Sequence, residues 1–218
     1  MRGLLRFDLG HGAGAWGRRM IPLARGKGVF MRNTLGIAVA VGLMAGIAGA
    51  EVCDVNPIMT ELVDGYTVCA SSALPAGKYS YRPAGVFAPD AAGWCEGVAG
   101  DGTGEWIELR LNEPYPLDRL VLYNGYVRRG EASYSENARP RHLLIETDTG
   151  LSVFVEARDT HEPQELLLGD FHRLQRIRVT LLDSYPGSKY HDTCLDALFP
   201  DFEAIRTLEW EQMQESGG

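Results

Sequence analysis

Apolar and polar residues alternate with a period of two through the middle and later parts of this chain. At least five segments show the pattern, each apolar on one side and largely polar on the other, at residues 107–111, 120–122, 143–145, 151–155 and 177–181. Successive side chains of a β-strand point to opposite faces of a sheet, so this period predicts half-buried strands. Turn residues separate the segments at 112–114, 148–150 and 185–187. The pattern predicts an all-β antiparallel sandwich or barrel.

Helical spacing is confined to the end of the chain. Phe202, Ile205 and Leu208 recur at helical intervals, which predicts a short C-terminal helix within a tail of residues 201–218. Residues 51–70 mix acidic and apolar residues and fit either a short helix or an extended segment. We therefore treat 51–70 as an N-terminal lead-in and predict the sandwich itself over residues 71–200.

The first fifty residues have the features of a targeting segment. Arg32 precedes an apolar run at 35–47 and the small residues Ala48-Gly49-Ala50, a pattern that predicts signal peptidase cleavage before Glu51. Read from Met31, residues 31–50 are a predicted signal peptide, and residues 1–30 are a predicted non-native or unstructured extension. The run is shorter than the roughly 18 to 20 residues that span a membrane. We expect an exported domain, periplasmic or secreted, with no membrane insertion after cleavage.

Removing that segment makes the charge strongly negative. The first fifty residues hold seven basic residues and one acidic residue, which leaves 14 basic and 28 acidic residues and a formal charge near −14. Such a surface repels phosphate backbones and anionic headgroups. The charge therefore argues against nucleic-acid partners and is compatible with neutral sugars or cationic partners.

Four cysteines, Cys53, Cys69, Cys95 and Cys194, all follow the predicted cleavage site. An even number in an oxidising compartment favours two disulfides over a metal site. Three pairings are possible. We prefer Cys53 with Cys69, which would staple the N-terminal segment, and Cys95 with Cys194, which would join two loops expected to be neighbours. No Cys-x-x-Cys occurs, so no metal site is predicted.

No catalytic arrangement stands out in the sequence. The chain contains neither a Gly-x-Ser-x-Gly motif nor a cysteine left over for catalysis by the predicted pairing. Glu96 and Asp192 would serve as a glycosidase pair only in the sense that many carboxylates of an acidic chain would. We therefore predict no catalytic residues and a non-enzymatic protein.

Residues typical of sugar-binding sites occur in the predicted loops and strand ends. Such sites place aromatic rings against the apolar faces of sugars, and planar polar groups against their hydroxyls. The candidate ligand-binding residues are Trp94, Glu96, Asn124, Tyr126, Asn137, Arg139, Tyr185, Lys189, Tyr190 and Asp192. Two purely structural interpretations compete with this one: Asn124-Gly125 is typical of a hairpin turn with positive φ at both residues, and Pro186-Gly187 of a type II turn.

Six motifs in one order carry a family resemblance. They are Trp94-Cys95-Glu96-Gly97, Gly104-Glu105-Trp106-Ile107, Asn124-Gly125-Tyr126, Asn137-Ala138-Arg139-Pro140, Tyr185-Pro186-Gly187-Ser188-Lys189-Tyr190 and Asp192-Thr193-Cys194. Over about residues 71–199 the chain resembles the NADase-type glycan-binding domain, a member of the discoidin-like, galactose-binding jelly rolls. The resemblance implies an eight-stranded jelly-roll β-sandwich in a bacterial exported protein that binds a glycan without catalysis. The alternative is a cell-envelope structural or protein-interaction domain that retains the fold, binds a protein partner and no longer binds sugar.

The resemblance fails at one loop. Relatives tend to carry an Asp-Gly-Asp-like sequence after a phenylalanine, whereas this chain has Phe87-Ala88-Pro89-Asp90-Ala91-Ala92-Gly93. Asp90 is then the only acidic side chain, and a structural calcium ion would depend on backbone carbonyls. We therefore predict no cofactor.

Overall fold

Strands make up most of the structure. The computed structural model describes residues 51–59, 64–87, 93–127 and 130–201; the predicted extension, signal peptide and residues 202–218 of the predicted helical tail lie outside these ranges. Eight strands are present in the described part: β1 (Val52–Met59), β2 (Asp64–Ala70), β3 (Trp94–Cys95), β4 (Trp106–Asn124), β5 (Arg139–Thr147), β6 (Ser152–Glu156), β7 (Gln164–Tyr185) and β8 (Cys194–Pro200). A 3-10 helix (Pro83–Val86) and a short helix α1 (Glu131–Glu136) lie between them. Neither helix is long and apolar enough to cross a membrane.

The long strands β4 and β7 connect the two layers of the sandwich. In the first layer the strand order is β1-β2-β4-β7-β5-β6, and this layer contains one half of β4 and one half of β7. In the second layer, the other half of β4 pairs with β7 and with β8, and β8 pairs with β3. Every strand pair is antiparallel. The structure is thus the predicted all-β antiparallel sandwich with eight strands.

The turn predicted at 112–114 is wrong. These residues lie inside β4, between the pairs Arg110 with Arg176 and Tyr115 with Leu174, where the register with β7 shifts. A strand that passes from one layer to the next bends at such an irregularity, and a proline is accommodated there because its position is outside the regular ladder. Two of the predicted strands are therefore one.

The alternation does identify the core. Most of its apolar positions are buried in one cluster that includes Ile107, Leu109, Leu120, Leu143 and Ile177, while those of the segment 151–155 are half-buried and pack against this cluster. Removing such side chains from water is the main favourable contribution to folding. The predicted turn at 148–150 is confirmed as the connection between β5 and β6, with Gly150 at a φ of 83°.

The sheet begins earlier than the predicted boundary at residue 71. Residues 51–70, left open between helix and extended chain, form the hairpin β1–β2, and β2 pairs with β4. Cys53 lies opposite Cys69 in this hairpin, and the two are bonded. The second predicted disulfide, Cys95 with Cys194, is also present and links β3 to β8. Both predicted pairings are confirmed.

One end of the sandwich gathers the loops that carry most candidate residues. The strand pair β3–β8 and the bridge between Ala138 and Thr193 bring together the segments near residues 94, 137 and 193. These segments are far apart in the chain, so the site at this end depends on the complete fold.

Candidate functional site

An open depression of about 200 Å³ lies at this end of the sandwich. Its lining comprises three tyrosine rings, one leucine and four polar side chains: Leu74, Tyr81, Tyr126, Ser133, Glu136, Asn137, Tyr190 and Asp192. Four of these, Tyr126, Asn137, Tyr190 and Asp192, are among the ten residues predicted from the sequence. The structure therefore brings residues from three separate loops into one concave surface.

The depression has a floor fixed by the second disulfide. Buried Cys95, Cys194 and Tyr126 form a small apolar cluster, and Leu74 and Tyr81 pack against it. The rings of Tyr81 and Tyr126 are 5.8 Å apart between centroids and inclined at 59°. A covalent link beneath two packed rings limits how far this surface can rearrange.

Backbone hydrogen bonds attach the loop of residues 186–193 to the end of α1. The amides of Tyr190 and Lys189 donate to the Glu136 carbonyl at 2.8 and 3.1 Å, and the amide of Ala138 donates to the Asp192 carbonyl at 3.2 Å. The Asn137 side-chain amide donates to the Ser133 carbonyl at 2.8 Å. The polar wall of the depression is thus ordered by main-chain contacts.

Gly187 allows the close approach of this loop to α1. A Cβ at this position would meet the Tyr190 carbonyl oxygen at 2.3 Å and the Asn137 carbonyl carbon at 2.5 Å. Its φ is not positive, so the predicted type II turn at Pro186-Gly187 is wrong, because that turn requires positive φ at its second central residue. The glycine is needed for space instead.

Charged groups of the depression differ in how far they are paired. The Lys189 ammonium lies 3.6 Å from a Glu136 carboxylate oxygen and 4.9 Å from the centroid of the Tyr190 ring. Contact with the Tyr190 hydroxyl, together with the Glu136 charge, raises the pKa of Lys189. The Asp192 carboxylate has no hydrogen bond or ion pair within the described ranges. Asp192 is therefore the unpaired charge of the lining.

Trp94 and Glu96 are buried and do not line the depression. Trp94 is 0% exposed, and its Nε1 donates to the Ser72 carbonyl at 2.9 Å. Glu96 is also 0% exposed, and its carboxylate accepts from the backbone amides of Thr193 at 3.1 Å and Val98 at 2.7 Å. Burial raises the pKa of Glu96, and the two amide donors oppose the shift. Both residues hold the loops around the depression, and neither offers a surface to a ligand.

Arg139 connects the same loops from behind. Its Nε and Nη2 donate to the Asp159 carboxylate at 2.7 and 2.9 Å, and Nη1 donates to the Asn137 carbonyl at 2.9 Å. The guanidinium also stacks 4.9 Å above the Tyr134 ring. Hydrogen bonding to Arg139 lowers the pKa of Asp159. The bidentate pair leaves the guanidinium committed to positioning α1 and Asn137.

Asn124 and Tyr185 are likewise outside the lining. The buried Asn124 amide donates to the carbonyls of Pro140 at 2.9 Å and Arg158 at 3.0 Å, and the Tyr185 hydroxyl donates to the Ala157 carbonyl at 3.0 Å. The hairpin predicted at Asn124-Gly125 is wrong, because only the glycine has positive φ and β4 does not pair with β5.

Four lining residues were not predicted from the sequence as ligand-binding residues: Leu74, Tyr81, Ser133 and Glu136. Leu74 and Tyr81 belong to a stretch rich in Ser, Ala, Gly and Pro. Long-range contacts bring this stretch to the site, among them its packing against the Cys95–Cys194 cluster and the hydrogen bond from the Leu74 amide to the Cys95 carbonyl. Ser133 and Glu136 belong to the unpredicted helix α1. In the sequence, the one feature that could have indicated Glu136 as a lining residue was its position directly before the candidate Asn137.

Within the described ranges, Glu51, Cys53 and Cys69 form a group close enough to share a metal ion. Both cysteines are bonded to each other, so neither supplies a thiolate ligand. The residues 88–92, which bear on the calcium prediction, lie outside the described ranges.

Comparison with known proteins identifies a family. The family model described as NAD glycohydrolase translocation F5/8 type C domain matches residues 64–199. A comparison with curated protein sequences finds no match.

Several solved structures are similar at low identity. One is the family 32 carbohydrate-binding module of Streptococcus pneumoniae EndoD, at 13% identity and TM-score 0.45, covering 71% of this chain and 97% of that one. Another is the family 32 module of C. perfringens NanJ in complex with galactose, at 12% identity and TM-score 0.43, covering 62% and 92%. A third is the arabinofuranosyltransferase AftD from Mycobacteria, at 15% identity and TM-score 0.45, covering 67% of this chain. The chain spans only 11% of the length of that transferase.

Proposed function

Because this chain belongs to the NAD glycohydrolase translocation F5/8 type C domain family, a group of discoidin-like domains, we propose that it is an exported glycan-binding module without catalytic activity. Its sugar site is the depression lined by Tyr81, Tyr126 and Tyr190. The family name describes proteins in which such a domain accompanies a glycohydrolase, and it assigns no activity to the domain itself.

The observation that carries the proposal is the convergence of rings and planar polar groups on one open surface. Three tyrosines, one amide and two carboxylates line the same depression. Rings pack against the C–H faces of sugars, while amides and carboxylates pair with adjacent hydroxyls. A concave site with few polar groups on an aromatic surface is the usual form of a small-molecule site.

The candidate residues divide into two roles under this proposal. Tyr81, Tyr190, Asn137 and Asp192 contact the sugar above a floor that includes the buried Tyr126, with Glu136 and Lys189 at the edge. Trp94, Glu96, Asn124, Arg139 and Tyr185 position the loops. The division follows from burial and hydrogen bonding, since the side chains of the second group already form hydrogen bonds within the protein.

Export is supported by the two disulfides. Disulfides persist in oxidising compartments and are rare in the cytosol. A periplasmic or secreted protein would also meet the glycans that the site is proposed to bind.

A glycan array followed by calorimetric titration of the full chain tests the function. We expect saturable binding of at least one sugar, weakened about tenfold or more by Tyr190→Ala, because loss of ring stacking and its buried area is worth at least about 1.4 kcal/mol. Phe154→Ala is the matched control, since Phe154 is 61% exposed and lies on β6, away from the depression. Absence of binding across a broad panel overturns the proposal. Co-purification of a stoichiometric protein partner without sugar dependence would support the protein-interaction alternative.

A further inference from the structure

We infer that the depression selects sugars that carry a free amino group, with the Asp192 carboxylate as the acceptor for the ammonium. The inference rests on the proposed function and specifies the ligand class of the same site.

Apart from the tyrosine hydroxyls, the polar atoms of the lining that lack a partner within the described ranges are mainly acceptors. The Asp192 carboxylate and the Asn137 Oδ1 have no donor within the described ranges, and the Glu136 carboxylate has only the Lys189 ammonium at 3.6 Å. The Asn137 amide already donates one of its hydrogens to the Ser133 carbonyl. An ammonium group brings donors and no acceptor, so it matches this surface better than a carbonyl or a carboxylate does.

The charge of the lining has the same sign as its acceptors. Among the residues that the structure describes, two carboxylates and no cationic side chain line the depression. The nearby Lys189 ammonium is engaged by Glu136 and lies against the Tyr190 ring. Burial is the main cause that raises the pKa of Glu96, and the nearby negative charge of Asp192 adds to it. A cationic ligand relieves this repulsion and an anionic one increases it.

The rings are compatible with a cation at the same place. The Lys189 ammonium lies 4.9 Å from the Tyr190 ring centroid, within the range in which a ring face attracts a positive charge. The protein thus already holds one ammonium against a ring at the edge of the site. A sugar amine bound beside Asp192 would use a ring and a carboxylate together.

Three properties of the ligand follow from this arrangement. A sugar with a free amine binds more tightly than the same sugar with a hydroxyl at that carbon. Acetylation of the amine removes the preference because it removes the charge. A uronic acid binds worse than the neutral sugar because its carboxylate faces Asp192 and Glu136.

The test is calorimetric titration of the full chain with matched sets of monosaccharides. Glucosamine, N-acetylglucosamine, glucose and glucuronate form one set, and the four galactose counterparts form the other. In at least one set we expect the amino sugar to bind about tenfold more tightly than its neutral counterpart, a typical value for one partly exposed charge pair. The preference should disappear when the pH exceeds the pKa of the sugar amine.

Two variants separate the site from general charge attraction. Asp192→Asn should remove the amine preference while neutral sugars still bind, and Asp170→Asn, which deletes the same charge at an exposed position of β7, should leave it intact. Neutral and amino sugars that bind equally in the wild type overturn the inference and leave the proposed function standing. A preference that survives Asp192→Asn also overturns it. Failure of every sugar to bind overturns the proposed function itself.

Discussion

Removing the Cys95–Cys194 disulfide should destabilise this protein more than removing the Cys53–Cys69 disulfide. The first bond joins residues 99 apart in sequence and the second joins residues 16 apart. A cross-link restricts the unfolded chain more when it closes a longer loop, so its loss returns more entropy to the unfolded state.

The loop lengths give the magnitude. With the chain-entropy relation, the 99-residue separation corresponds to about 4.7 kcal/mol at 25 °C and the 16-residue separation to about 3 kcal/mol. The expected difference is about 1.6 kcal/mol. Packing adds to it, because Cys95 and Cys194 support Tyr126, Tyr81 and Leu74 beneath the depression.

Guanidinium unfolding of two double variants measures this difference. Cys95→Ala/Cys194→Ala is compared with Cys53→Ala/Cys69→Ala, so that neither leaves a free thiol. The free energy of unfolding should fall further in the first variant, and only that variant should weaken sugar binding. An equal or larger loss in the hairpin variant would refute the loop-length reasoning.

Other predictions concern the buried groups behind the site. Arg139→Ala should lower the free energy of unfolding, measured by denaturant unfolding, by about 2 kcal/mol. This is less than the loss expected for a fully buried ion pair, because Asp159 is partly exposed. Gly102→Ala should lower the free energy of unfolding by about 2–4 kcal/mol, because the φ of Gly102 is 71° and a Cβ would meet the Glu96 side chain at 2.4 Å. Gly100→Ala should lower it by about 1 kcal/mol, because Gly100 has a φ of 118° but no atom lies within 4 Å of its Cβ position. Burial raises the pKa of Glu96 in the folded protein. Its contribution to stability is therefore greatest below the unfolded-state pKa and declines as pH rises through the folded-state pKa. In a pH series, the stability of the wild type relative to Glu96→Gln should decrease between these two pKa values.

Each of these predictions has an outcome that contradicts it. A neutral effect of Arg139→Ala would mean that its bonds to Asp159 contribute nothing net. Equal losses for the two glycine variants would remove the contact with Glu96 as a cause. A wild-type-to-Glu96→Gln difference that grows with pH would reverse the assigned direction of the Glu96 pKa shift.

The sequence was sufficient for the sandwich and for its inner face. Alternation at residues such as Leu109 and Ile145 depends on a local property, the opposite orientation of neighbouring side chains, and those residues are buried in the core. The pattern did not reveal strand β8, because Cys194–Pro200 is buried on nearly every residue and shows no alternation. It also divided β4 at 112–114, because a strand that bends between layers carries turn-like residues at the bend.

The loops that form the depression could be predicted from the sequence, but the side chains that line it could be predicted only in part. Asn137, Tyr190 and Asp192 were identified by residue type and position, and they meet at the depression. Trp94 and Arg139 are of equally suitable type, yet one is buried in the core and the other is bound to Asp159. Residue type is the same for a ligand contact and a packing contact, so only burial and hydrogen-bond partners separate them.

The most direct test of the central claim is the calorimetric dissociation constant of Tyr190→Ala beside that of Phe154→Ala, for the sugar that binds best on the array. If the depression is the glycan site, Tyr190→Ala raises the dissociation constant about tenfold or more, and Phe154→Ala leaves it unchanged. An unchanged dissociation constant in a folded Tyr190→Ala variant would contradict the placement of the sugar in this depression.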